Sequence, residues 1–241
     1  VAHAPAGQHG HDREKHRFLD LGRPFLAELG VTDAQHQLVP AMSRKWKQIN
    51  KFVEIFDRAL VSAVLVSPGT FAVHDYLCNA LRREASVTGV ELRQDLVDLC
   101  NVAARQLGLA GLAFEQGDVR THAPGPVDVM IALHACDTAT DHAIHRGIRE
   151  GARVVMCSPC CHKQLRPQMH SPRLLQPMLK HGIHLGQEAE MVTDSLRALL
   201  LEAQGYDTQV FEFVSLEHTS KNKMILAVYR GASPRRDELL R

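Results

Sequence analysis

The sequence is short of aromatics, which make up 5% of it, and Trp46 is its single tryptophan. It also has almost no net charge, with 28 Lys and Arg against 27 Asp and Glu. A formal charge of +1 gives no overall field to draw it to nucleic acid or to an anionic membrane. Any such attraction has to come from a local basic face. No apolar run reaches the ~18 residues that would span a bilayer as a helix. The opening stretch "VAHAPAGQHGHDREKHR" lacks the apolar core of a signal peptide. Six cysteines in 241 residues do not make a secreted disulfide framework. Cys160 and Cys161 are adjacent, and several others sit in apolar runs, so the expectation is reduced thiols in a cytoplasmic compartment.

One more absence matters most. "VSAVLVSPGTFAVHDYLCNALRRE" (61–84) reads like the second half of a cofactor-binding βαβ unit, yet no glycine-rich loop opens it. Such a loop is normally required because the ligand lies against bare backbone. Either "SPGT", with one glycine after a proline, serves as the turn after a strand "VSAVLV", or the segment that would carry the loop is absent between Thr70 and Phe71. An absent segment takes the central strand with it, since the first strand of such a sheet lies between the second and the fourth.

The rest of the chain is well patterned. Residues 1–12 have no apolar periodicity and are expected to form a flexible lead. From residue 13 to about 66 the pattern is helical: "KWKQINKFVEIFDRAL" puts Phe52, Ile55, Phe56 and Leu60 on one face. Trp46 is expected in the core. Residues 67–232 alternate between helix and strand, and 233–241 read as a tail. The strands are "VTGVEL", "LAFEQGDV", "VDVMIALHAC", "RVVMCSPCC", "TQVFEFVSLEH" and "NKMILAVYR", the last two an antiparallel pair. The helices between them include "RQDLVDLCNVAARQLGL", stopped at Gly108, and "DTATDHAIHRGIREG", stopped at Gly151. Alternation of this kind predicts an α/β fold with a parallel, doubly wound sheet. A closing hairpin suits the Rossmann-like sheet of class I methyltransferases, whose last strand inserts antiparallel.

Several stretches carry a more specific likeness. "QINKFVEI", "FAVHDYL", "GVELRQDLVDLCN", "ALHACDTATDHAI", "SPCCHKQLRPQ", "TDSLRALLLEAQGY" and "EHTSKNKMI" together resemble bacterial S-adenosylmethionine-dependent methyltransferases. These belong to the group that includes the eukaryotic tRNA acceptor-stem 2′-O-methyltransferases and the glutathione-S-transferase C-terminal-domain-containing protein. "LHACD" and "PCCHKQ" are the distinctive motifs. The likeness implies S-adenosylmethionine as cofactor and a polar acceptor such as RNA. Members of the group carry a glycine-rich line just before the position of "FAVHDYL", and this chain departs from them there.

With that resemblance, Glu91 at the end of "GVEL" is expected to accept the ribose hydroxyls of an adenosine cofactor, and Asp118 in "QGDV" to contact its adenine amine. Leu92, Val119, Leu133 and His134 are assigned to the same cofactor site. The loops after the fourth and fifth strands bring His134, Cys136, Asp137, Cys160, Cys161, His162 and Lys163 towards one place. Three chemistries use them. For RNA 2′-O-methylation, Lys163, His162 or His134 would take the hydroxyl proton. For a pyrimidine carbon, a cysteine would add to C6 and activate C5. A bound zinc is the third, but the spacing matches no known zinc pattern and no metal is assigned. The bland reading makes Cys136 and Cys160 small buried core residues. Lys45, Lys51, Arg166, His218, Lys221 and Asn222 form a candidate phosphate-binding rim. The competing functional classes are a scaffold or RNA-binding module that has lost the cofactor, and a metal-dependent regulator.

Overall fold

The structure is a computed structural model and describes residues 17–59, 68–122, 125–133, 135, 137–159, 162–169, 172–212 and 223–240. The expected lead at 1–12, the "VSAVLV" strand and Leu60 lie outside them.

The N-terminal region is helical. A short α1 (Pro24–Glu28) is followed by α2 (Ser43–Ala59), entered through a single 3₁₀ turn at Pro40–Met42. The expected face of α2 is realised, with Trp46, Ile49, Phe52, Val53, Ile55 and Phe56 buried. Next comes α3 (Pro68–Asp75), which continues as a π turn over Tyr76–Ala80. Pro68 to Thr70 therefore form the first helical turn, and Thr70–Phe71 lies inside the helix. Proline is favoured at such a position because its missing N–H would have no helical partner anyway.

Helix α3 is enclosed on every side, with all residues from Thr70 to Leu77 buried. Phe71 stacks between Phe25 and Phe114, at ring-centroid distances of 6.4 and 5.2 Å. Burial of each such side chain contributes about 1.5–3 kcal/mol. Some of the polar groups that α3 takes inside have partners, while the Thr70 hydroxyl is buried without a hydrogen bond. His74 Nε2 lies 2.7 Å from the Ala110 carbonyl, the Asn79 amide donates to Asp75 Oδ1 at 2.7 Å, and Tyr76 donates to Asp57 Oδ1 at 2.5 Å.

The α/β part runs β1 (Val87–Glu91), α4 (Gln94–Gln106), β2 (Leu112–Gln116), β3 (Val129–Leu133), α5 (Thr138–Arg149) and β4 (Val154–Ser158). It closes with α6 (Gln176–Leu179), α7 (Gly182–Ala203), β5 (Tyr206–Glu212), β6 (Lys223–Tyr229) and α8 (Arg236–Leu239). As expected, α4 and α5 stop before Gly108 and Gly151, which take φ of +63° and +80°. Pairing is parallel for β1 with β2 and for β3 with β4, while β6 runs antiparallel to both β4 and β5. Strands β3 and β4 are almost wholly buried, as parallel strands covered on both faces should be. This is the Rossmann-like architecture with an inserted antiparallel strand.

The strand order contains a break. Among the described residues there are two sheets, β1–β2 and β3–β4–β6–β5, and both contribute to one core through Val87, Phe114, Val129, Ile131, Val154 and Met156. In the doubly wound order a first strand would sit between the two strands that are here β1 and β3. Among the described residues no strand occupies that place. The outer margin of β2 is handled differently: the Asn101 side chain on α4 donates to the Phe114 carbonyl at 2.8 Å and accepts its N–H at 2.9 Å. One side chain thus substitutes for a rung of the ladder.

Candidate active site

The expected ligand positions fall at the carboxyl ends of strands. Glu91 is the last residue of β1, and its half-buried carboxylate accepts the Arg93 N–H at 3.1 Å. Gly117, just past β2, donates to the Glu91 carbonyl at 3.0 Å and so ties the two strand ends together. A Cβ at Gly117 would lie 2.9 Å from both Val90 and His122, which is why a glycine sits there. Asp118 follows. It accepts from the Arg120 backbone N–H at 2.9 Å and from Arg120 Nε at 3.0 and 2.8 Å, and Arg120 Nη2 closes the pair. These bonds hold the Asp118 carboxyl down at about 2. Val119 is half-buried against the core beneath β3, and Leu133 ends β3 half-buried, whereas Leu92 is 64% exposed.

The loops after β3 and β4 meet at Asp137. Its Oδ1 accepts the Gln164 N–H at 3.1 Å, which joins the "LHACD" and "SPCCHKQ" segments. Its backbone takes φ +57° and ψ −124°, a conformation that L residues rarely adopt and that surrounding bonds must enforce. They do so here. The Asp137 carbonyl accepts from Arg197 Nη2 at 3.0 Å, and Thr140 Oγ1 donates to the Ala135 carbonyl at 2.5 Å.

Arg197, on α7, organises this corner. It is 4% exposed and donates to both oxygens of Asp141 on α5, at 2.8 and 3.0 Å, and to Asp194 Oδ1 at 3.3 Å. Burial dominates at Asp194 and raises its carboxyl to about 6, against the lowering effect of Arg197. The ligand atoms of His162, Glu190 and Asp194 all lie within 4.8 Å of one another, and Lys223 Nζ stands 3.3 Å from Glu190 Oε1. Of the expected catalytic set, Asp137 and His162 are therefore drawn into this corner, and Lys163 is exposed beside them. His134, Cys136, Cys160 and Cys161 lie outside the described residues. Cys157 is described: it is fully buried in β4, and burial pushes its thiol up to about 12.

The expected rim is less coherent. Lys51 forms an ion pair with Glu54 on its own helix at 2.8 Å, and Arg166 donates to the Gly182 carbonyl at 2.9 Å. Lys45 is half-buried, and burial lowers its pKa. His218, Lys221 and Asn222 lie outside the described residues. The sequence reading missed Asp141, Glu190, Asp194 and Arg197. The signal available for the last two was a charged pair inside the otherwise apolar "TDSLRALLLEA".

Comparison with known proteins agrees with this architecture. The glutathione S-transferase C-terminal domain-containing protein of Bos taurus is 26% identical over 147 residues, covering 51% of this chain and 23% of the relative. The Homo sapiens protein of the same description is 28% identical over the same extent. The chain thus spans less than a quarter of the length of these relatives. The SAH-bound Podospora anserina methyltransferase PaMTH1 superposes with a TM-score of 0.51 at 10% identity, covering 96% of this chain and 100% of that one, which is a likeness of fold. The family described as "Methyltransferase domain" matches residues 44–168, just over half of the sequence. This chain belongs to the methyltransferase-domain family.

Proposed function

We propose that the chain is an S-adenosylmethionine-dependent methyltransferase whose acceptor is RNA, modified at a 2′-hydroxyl or on a base. The observation that carries the reading is the Gln164 to Asp137 hydrogen bond, which joins the two motif-bearing loops at the carboxyl ends of β3 and β4. Ligands of open α/β sheets bind at such ends. The adenosine half of the cofactor fits the described residues. Glu91 offers a half-exposed carboxylate to ribose hydroxyls, and Asp118 and Gly117 stand at the neighbouring strand end. Asp118 is already engaged with Arg120, so an adenine amine has to share that carboxylate.

The cofactor supplies an electrophilic methyl group on a sulfonium. The protein's own task is to align the acceptor and to receive a proton. For a 2′-hydroxyl, His134, His162 or Lys163 takes that proton. For a pyrimidine carbon, Cys136 or Cys160 adds to the ring first. RNA as acceptor follows from the resemblance of the motifs. The described cations contribute little to it, since Lys51 and Arg166 have partners within the fold.

One observation favours a second reading, a scaffold or RNA-binding module of this fold that binds no cofactor: the divided sheet, with no described strand at its centre. Calorimetric titration of the purified chain with S-adenosylmethionine separates the two. Saturable one-to-one binding, weakened about ten- to a hundredfold in Glu91→Ala by loss of charge-assisted hydrogen bonds, is the expected result. A folded, monodisperse sample that takes up no cofactor supports the scaffold and ends the enzyme reading. Methyl transfer to RNA by the Cys136→Ser and Cys160→Ser variants rules out the cysteine adduct, and transfer by His134→Ala, His162→Ala and Lys163→Met alike rules out the general base.

A further inference from the structure

We propose that His162, Glu190 and Asp194 form a binding site for one divalent transition-metal ion beside the candidate active site. The inference goes beyond methyl transfer and does not depend on it. Glu190 and Asp194 are four residues apart on α7, so their carboxylates share one helix face. His162 reaches the same point from the loop after β4, and the three ligand atoms lie within 4.8 Å of one another. The zinc weighed from the sequence used the Cys/His cluster, and Glu190 and Asp194, some thirty residues further on, gave no spacing motif with His162.

A second observation is independent of this convergence. Asp194 is 2% exposed, and its Oδ2 is buried without a hydrogen-bond donor. Leaving a carboxylate oxygen in that state is costly unless something cationic completes it. Arg197 does not do so. It reaches Asp194 only at Oδ1, at 3.3 Å, while Nε and Nη2 are directed to Asp141. Lys223 approaches Glu190 at 3.3 Å and adds an attractive charge near Asp194, but gives its Oδ2 no hydrogen bond.

The donor set selects the class of ion. One imidazole nitrogen and two carboxylate oxygens suit Zn²⁺, Mn²⁺ or Fe²⁺. Three protein donors also leave coordination positions for water or for an acceptor group, as in catalytic rather than structural zinc sites. A bound metal takes the His162 imidazole out of proton transfer and leaves that role to His134 or Lys163.

The test uses the full chain, stripped with chelator and titrated with ZnCl₂ by calorimetry in the absence of S-adenosylmethionine, with metal content read by mass spectrometry. The wild type is expected to bind one equivalent. His162→Ala and Glu190→Gln, both at half-buried positions, are each expected to weaken binding about tenfold or more while keeping the wild-type circular dichroism. Asp194→Asn should do the same but carries a folding risk that the other two avoid. No zinc uptake by the folded wild type overturns the proposal. So does an equivalent that persists in both His162→Ala and Glu190→Gln, because it then resides on other ligands such as the N-terminal histidines or the cysteines. Co²⁺ in place of Zn²⁺ adds an independent readout: nitrogen and oxygen donors give weak visible bands, and an intense thiolate charge-transfer band would overturn the assignment.

Discussion

Arg197 is a cation with almost no water around it, balanced by Asp141, Asp194 and a backbone carbonyl. Removing it leaves Asp194 buried and uncompensated, so Arg197→Met is expected to lower stability by about 3–5 kcal/mol in urea unfolding. Arg197→Lys should recover little, because an ammonium cannot grip Asp141 with two nitrogens. A wild-type midpoint for Arg197→Met would show the hub to be dispensable. Cys157 makes an opposite prediction about reactivity. A buried thiol raised to about 12 holds almost no thiolate at pH 8, so iodoacetamide should leave it unmodified in the folded protein and label it after unfolding. Peptide mass spectrometry reads this directly. At Asp118 the folded carboxyl lies at about 2, below the ordinary ~3.9 of an unfolded aspartate. The stabilisation it provides is therefore present at neutral pH and is lost as the pH falls through about 2. NMR titration of its carboxyl carbon should move back towards the ordinary value in Arg120→Ala.

Elements show where the sequence could be read and where it could not. β3 and β4 were legible because "VMIAL" and "VVMCS" are apolar runs bounded by turn residues, and α4 and α5 because a glycine follows each. The start of α3 was not. "SPGT" serves a turn and a helix start equally well, and only the enclosure of the residues after it decides between them. Phe71→Ala in this enclosed helix is expected to cost about 3–5 kcal/mol, since two aromatic rings lose their partner. Two glycines of α7 and its exit have opposite surroundings. Gly205 joins α7 to β5 at φ +91°, and a Cβ there would fall 1.9 Å from the Gly231 carbonyl oxygen. Gly186 lies within α7 with nothing near its missing Cβ. Gly186→Ala should therefore stabilise by about 0.4–1 kcal/mol and Gly205→Ala destabilise by more than that. Thermal unfolding of the two variants side by side checks the sign of each.

For the whole molecule, the α/β class and the closing antiparallel pair were legible from the alternation of periods. The corner around Arg197 was not, because its members come from α5, α7 and the loop after β4 and meet only when the chain is folded. The division of the sheet has a measurable result. β4 is paired on both sides, by β3 and β6, whereas β1 is paired among the described residues only with β2. Backbone amides of β4 should exchange with deuterium far more slowly than those of β1. Equal protection would mean that the inner margin of β1 is covered after all.

The same division makes the two margins a template. β1 and β3 each present backbone donors and acceptors towards the place of a first strand, with the register of any newcomer dictated by strands already fixed. A strand lying between them would be held by main-chain bonds on both flanks.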